Sequence, residues 1–126
     1  MSKMILIFAL RATTPIAAFA HGTPPAAAHG GQVAEDSSEN WVEVVIKGDR
    51  LDVYVLDEAK APVPSAKLTG KATVLVGGKS QSVALAPGNA NSLTGKLDPA
   101  AAGKVTAILS LSVGGKPTQA RIAVQQ

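Results

Sequence analysis

The strongest constraint on the fold is the run of alternating apolar and polar residues from Trp41 to Asp57. The apolar side chains recur at every second position on both sides of a break at Gly48 and Asp49: Val42, Val44, Ile46, Leu51, Val53 and Val55. Period-two alternation of aliphatic residues indicates a strand with one buried face, and a Gly-Asp pair suits a tight turn. The sequence therefore predicts a β-hairpin on which the rest of the chain assembles.

The same alternation recurs in five later segments, which brings the number of predicted strands to seven. Their inward-facing residues are Ala72, Val74 and Val76; Val83 and Leu85; Leu93 and Leu97; Val105, Ala107, Leu109, Leu111 and Val113; and Ala120, Ile122 and Val124. Single helical turns are expected only near residues 65–68 and 98–103. Seven short strands with turn signals roughly every ten residues predict a small antiparallel immunoglobulin-like β-sandwich, with a partly open barrel as the alternative.

The composition excludes several classes of site. The 126 residues suffice for one domain and include no cysteine, which rules out a disulfide framework, a thiolate metal site and a cysteine nucleophile. The formal charge is +3, and Lys3 and Arg11 lie in a segment expected to be removed. The remaining cations are interpreted as scattered between acids, and stacking aromatic residues are few, so the sequence predicts no binding of nucleic acid.

The first 20 residues have the pattern of a secretory signal peptide. Lys3 precedes an apolar stretch, and Ala18-Phe19-Ala20 matches a small-x-small cleavage site, although Arg11 and Pro15 interrupt the apolar region. A second candidate cleavage site follows Ala28, and both sites are followed by His-Gly. The apolar run is shorter than the ~20 residues of a membrane span. We therefore expect a signal peptide (1–20), a flexible tail (21–40) and a β-sandwich domain (41–126), not membrane-spanning after processing.

The only two histidines, His21 and His29, both lie in the predicted tail. Cleavage after Ala20 would make His21 the mature N-terminus, whose amine and imidazole can chelate one metal ion. His29 would add a second imidazole, and nearby acids could supply a carboxylate: Glu35, Asp36 and Glu39. Nitrogen-rich sites of this kind suit Cu(II), Ni(II) or Zn(II). The alternative is an ordinary polar tail without metal.

Two aromatic residues form the other candidate site. Trp41 has the parity of Glu43 and Tyr54 that of Asp52, so both should lie on the outer face of the hairpin, as an exposed patch for a partner or a sugar. The alternative is a purely structural pair. Four acids near the hairpin are too few for a calcium site: Asp49, Asp52, Asp57 and Glu58. No serine or threonine has a nearby histidine, so the sequence predicts a protein that is not an enzyme.

Three short motifs carry a resemblance to a known class of proteins. They are His29-Gly30-Gly31, the Tyr-Val-x-Asp that ends the hairpin at residues 54–57, and the Pro-Val-x-x-Ala link of residues 62–66. In these the chain resembles small secreted proteobacterial proteins that begin with His-Gly-Gly, and the mature N-terminal region of periplasmic adaptor subunits of heavy-metal efflux systems. The resemblance covers residues 29–66 and implies a periplasmic location and metal handling, with His29 as the one residue carried over. The chain departs from it in having few histidines and no methionine cluster.

Two functional hypotheses follow. The first is a non-catalytic periplasmic β-sandwich, an accessory of metal-ion homeostasis or efflux, whose N-terminal tail binds a divalent metal weakly through His21 and His29 and whose partner is an efflux-system or other envelope protein. The second is a structural or interaction domain that binds an envelope protein or a glycan, without metal.

Overall fold

The computed structural model describes residues 23–125, so the predicted signal peptide and His21 lie outside the described residues. The described chain is all-β, with a single 3-10 turn at Ser65–Lys67. The strands are β1 (Gln32–Glu35), β2 (Trp41–Lys47), β3 (Arg50–Leu56), β4 (Leu68–Val76), β5 (Lys79–Pro87), β6 (Ser92–Lys96), β7 (Lys104–Val113) and β8 (Lys116–Gln125).

The strands form one antiparallel sheet that folds into two layers. Their order is β1-β2-β3-β6-β5-β4-β7-β8. Only two residue pairs join β5 to β6, Ala86 with Thr94 and Pro87 with Leu93, and the sheet divides at this seam. One layer is β1-β2-β3-β6 and the other is β5-β4-β7-β8, with the side chains of both in one core. The connections of β2 to β8 are those of an immunoglobulin-like sandwich, as the sequence predicts.

The one described strand that the sequence does not predict is β1, which lies where a flexible tail is expected. Gln32–Glu35 pairs with β2 in register, Val33 opposite Glu43 and Ala34 opposite Val42. The prediction of a flexible tail over residues 21–40 is therefore wrong for this segment. A four-residue edge strand with two small apolar residues is too short for a period-two pattern, and pairing with a neighbouring strand determines its structure.

The core is aliphatic and is filled by alternating large and small side chains. Leu109 of β7 is fully buried between Ala72 of β4 and Ala120 of β8, which are its direct partners in register. No helical turn forms at residues 98–103. Instead the amides of Leu97 and Ala101 donate to backbone carbonyl oxygens of the β2–β3 turn, at 2.6 and 3.1 Å. The corner therefore closes one end of the sandwich.

We expect Leu109→Ala to lower the free energy of unfolding by ~2–5 kcal/mol, because the two flanking alanines cannot fill the cavity. Chemical denaturation followed by circular dichroism measures this loss. The matched control is Ile108→Ala on the opposite, half-exposed face of β7, which should cost much less. Equal losses for the two variants would mean that the inward register of β7 is wrong.

Candidate functional site

His29 is held against the outer face of β2 and β3 by contacts on two sides. Its Nδ1 lies 2.8 Å from Glu43 Oε1, and its backbone N–H donates to Glu43 Oε2 at 2.9 Å. Its ring stacks on Tyr54, with 3.6 Å between ring centroids and 6° between ring planes. Glu43 and Tyr54 are direct partners across the β2–β3 pair, so one register position supplies both contacts. We call His29, Gly31, Glu43 and Tyr54 the His29 clasp.

The two glycines that follow His29 allow the chain to reach this position. Gly30 has a φ of +75°, a conformation that favours glycine. Gly31 lies so close to β2 that an added Cβ would overlap the Val44 carbonyl oxygen and come within 2.8 Å of the Val45 side chain. The Gly31 N–H donates to Glu43 Oε2 at 2.9 Å. The His-Gly-Gly motif is therefore the local sequence that allows three donors to meet one carboxylate.

Glu43 is an ionised carboxylate in a nearly buried position, with only 6 % of its surface exposed. Burial raises its pKa, but the hydrogen bonds from the His29 ring, Gly31 and the His29 backbone, together with the charge of His29, outweigh burial and lower the pKa below its ordinary value. An ionised carboxylate only accepts hydrogen bonds, so Nδ1 is the donor, and in the uncharged form of the ring the single proton lies on Nδ1. The lone pair of neutral His29 is consequently on Nε2.

Tyr54 provides the surface on which the His29 ring packs. Burial, and after it the negative charge of Asp52, raises the pKa of the Tyr54 phenol. The phenol therefore stays protonated at neutral pH and is a poor metal ligand. Its role in the clasp is to restrict the orientation of the imidazole.

The clasp presents one imidazole nitrogen for chemistry. The His29 side chain is 41 % exposed, and its Nε2 has no hydrogen-bond partner among residues 23–125. The same residues contain no group of three or more histidine, cysteine, aspartate or glutamate side chains that could hold a metal ion. His29 is thus a single candidate ligand. The predicted role of His21 stays a prediction, because that residue lies outside the described part of the chain.

Asp36 does not contribute a ligand to this site. Its Oδ1 accepts hydrogen bonds from the backbone N–H groups of Ser38 and Asn40, at 2.8 and 2.9 Å, and its Oδ2 accepts one from the Asn40 side chain. The side chain is buried and caps the turn between β1 and β2. Asp36 is close to the histidines in the sequence, but its carboxylate oxygens accept hydrogen bonds within this turn.

The predicted exposed aromatic patch is wrong for Trp41. Trp41 lies on the outer face, as its parity predicts, but only 4 % of it is exposed. It lines a small cavity of about 40 Å³ together with Pro25, Ala26 and Ala28. The N-terminal segment therefore covers the tryptophan, and Tyr54 lies half-buried beneath His29. A partner or a sugar cannot use these two rings as a free surface.

The residue of the His29 clasp that the sequence analysis missed is Glu43. The available signal was a glutamate in the middle of a β-branched strand, directly opposite a tyrosine and downstream of His-Gly-Gly. Such a glutamate is ordinarily solvent-exposed. Its burial depends on the path of residues 25–31, which no periodicity predicts.

Comparison with protein-family models, with curated proteins and with solved structures finds no match for the chain. Across residues 23–125, no helix has the length and apolar character needed to cross a membrane. The candidate site is therefore interpreted from its own geometry.

We expect the stabilisation by Glu43 to depend on pH. Because its folded-state pKa is lowered, the contribution is complete above the ordinary glutamate pKa of about 4.3 and is lost as the pH falls through the lower folded-state value. Glu43→Gln should cost ~1–3 kcal/mol at neutral pH, because the new amide group faces backbone donors. Urea denaturation of both proteins between neutral and acidic pH should give curves that converge in acid. A pH-independent difference would contradict the ionised clasp.

Gly31→Ala should release the N-terminal segment from β2, because the added methyl group has no space beside the Val44 carbonyl. We expect faster hydrogen exchange at the amides of residues 29–35 while those of β7 keep their protection. Gln32→Ala, an exposed change at the next residue, is the matched control and should leave the exchange of residues 29–35 nearly unchanged. Unchanged exchange at residues 29–35 in Gly31→Ala would disprove the close approach.

Proposed function

We propose that the chain is an exported, non-catalytic β-sandwich module of metal-ion homeostasis, in which His29 Nε2 anchors a divalent ion such as Cu(II) or Zn(II). The observation that carries this proposal is the contact between His29 Nδ1 and Glu43 Oε1 at 2.8 Å. A histidine that binds a metal through one ring nitrogen commonly donates the other to a carboxylate, which fixes the tautomer and makes the ligand more basic.

The rigidity of the ring also favours this role. Stacking on Tyr54 and the bond to Glu43 hold the imidazole in one orientation before any metal arrives. Less conformational entropy is therefore lost on binding than for a histidine in a mobile tail. The proposed ligand is therefore the residue that the sequence predicts, His29, but its ring is fixed on the sheet and does not belong to a flexible tail.

A single protein ligand supports weak and exchangeable binding. The remaining coordination positions would be filled by water, by His21 once the signal peptide is removed, or by a ligand of a partner protein. Open positions suit a module that receives or delivers an ion more than one that stores it. An efflux-system or other envelope protein is the kind of partner that this role requires.

Export rests on the signal pattern of residues 1–20, and the structure bears on the choice of cleavage site. Pro25, Ala26 and Ala28 line the cavity beside Trp41. Cleavage after Ala28 would remove all three and expose the indole, whereas cleavage after Ala20 would leave them in place. These contacts support processing after Ala20, with His21 as the mature N-terminus.

The test is calorimetric titration of Cu(II) and Zn(II) into the protein that begins at His21. We expect weak binding that His29→Ala abolishes or reduces more than tenfold, and that Glu43→Gln weakens by 10–100-fold, in the range found for carboxylates behind metal-binding histidines. His21→Ala tests the terminal chelate separately. Gln32→Ala, an exposed change in β1, is the control. Binding that is unaffected by His29→Ala would contradict the proposal.

A further inference from the structure

The two layers of the sandwich differ in charge. Strands β4, β5, β7 and β8 contain five cations and no aspartate or glutamate: Lys71, Lys79, Lys104, Lys116 and Arg121. Eight of the nine acids of the chain lie between Glu35 and Glu58, on β1 to β3 and their connections, and the ninth is Asp98. The interpretation that cations are scattered between acids is therefore wrong for the second layer. The charged side chains of these four strands are all positive, because most acids of the chain lie in residues 35–58, which precede β4.

Three of the five cations project from the outer face of this layer. Lys71, Lys104 and Arg121 alternate with inward-facing neighbours on β4, β7 and β8, and all three are exposed. Arg121 lies opposite Ile108, which lies opposite Thr73. Lys71 lies opposite Ser110 one row away. The face is thus four strands wide, with three separated cations set among hydroxyl groups and a half-exposed isoleucine.

The chemistry of this face fits an extended anionic plane. The outward positions of its four strands include no aromatic residue on which a nucleic-acid base could stack. Cations spaced over one sheet face match a field of phosphate groups, and each Lys or Arg near an anionic bilayer strengthens binding by roughly fivefold.

We propose that the outer face of β5-β4-β7-β8 binds the surface of an anionic phospholipid membrane, with Lys71, Lys104 and Arg121 contacting lipid phosphates. Charge complementarity selects this occupant, and export, which belongs to the proposed function, supplies the opportunity to meet such a surface. The face is on the opposite layer from the His29 clasp, so lipid binding requires no metal.

The experiment is co-sedimentation of the protein that begins at His21, without added metal, with vesicles of phosphatidylglycerol and phosphatidylcholine. We expect binding at an ionic strength of about 0.1 M that is lost at about 1 M, where charges are screened within a few ångström. Vesicles of phosphatidylcholine alone should not bind. Lys71→Ser combined with Arg121→Ser should weaken binding more than tenfold, and Lys104→Ser should weaken it further.

The matched control is Lys47→Ser combined with Lys96→Ser, which removes the same charge from exposed positions on the first layer. This pair should bind vesicles almost as well as the unmodified chain. Equal losses for the two pairs would mean that net charge alone acts, and would overturn the proposal. It would also be overturned by absence of binding to the anionic vesicles, or by binding to duplex DNA or to an acidic polypeptide but not to vesicles. Melting curves identify any variant that fails to fold, and Lys104→Ser alone then serves in its place.

Discussion

The path of the chain from residue 23 to β2 depends on a buried carboxylate. Glu43 lies in the middle of β2, on the side of the hairpin away from the core, and is 94 % buried. An ionised carboxylate without partners in such a place would be strongly unfavourable. Three donors from residues 29–31 satisfy it, and their positions determine the path of the chain ahead of β1. The same path places Pro25, Ala26 and Ala28 beside Trp41. One charge therefore connects the edge strand, the covered tryptophan and the orientation of His29.

The motifs that carry the resemblance to efflux adaptors have structural roles here. Gly30 and Gly31 allow the close approach to β2, and Tyr54 supports the His29 ring. Asp57 accepts hydrogen bonds from the amides of Ala59 and Ala61 and so shapes the turn after β3. Of the motif residues, His29 alone combines a fixed orientation with a ring nitrogen that has no partner in residues 23–125. The proposed metal role is therefore concentrated on one atom, Nε2.

The sequence predicted the seven strands of the sandwich because each has a buried face and a turn with its own chemical signature. The Gly48-Asp49 and Gly114-Gly115 turns lie where expected, and Lys47 pairs with Arg50 across the first of them. It could not predict β1, which has too few residues for a period. It placed Trp41 on the outer face correctly but could not predict burial there, because side-chain parity gives the direction of a residue and not what covers it. Glu43 was missed for the same reason.

The two outer faces of the sandwich consequently differ in what they can do. On the first layer, the segment before β1 covers Trp41 and Glu43. The edge of the His29 ring stays exposed there. The second layer has a polar, cationic outer face, and the turn after β1 reaches only its β8 edge, where the Ser37 N–H donates to the Gln119 carbonyl oxygen at 2.8 Å. Because the layers pack back to back, a membrane held by Lys71 and Arg121 would leave His29 on the side away from the lipid. A metal ion on Nε2 would then face the aqueous compartment and any partner within it. The two proposed activities are therefore compatible in one molecule, and neither requires the fold to change.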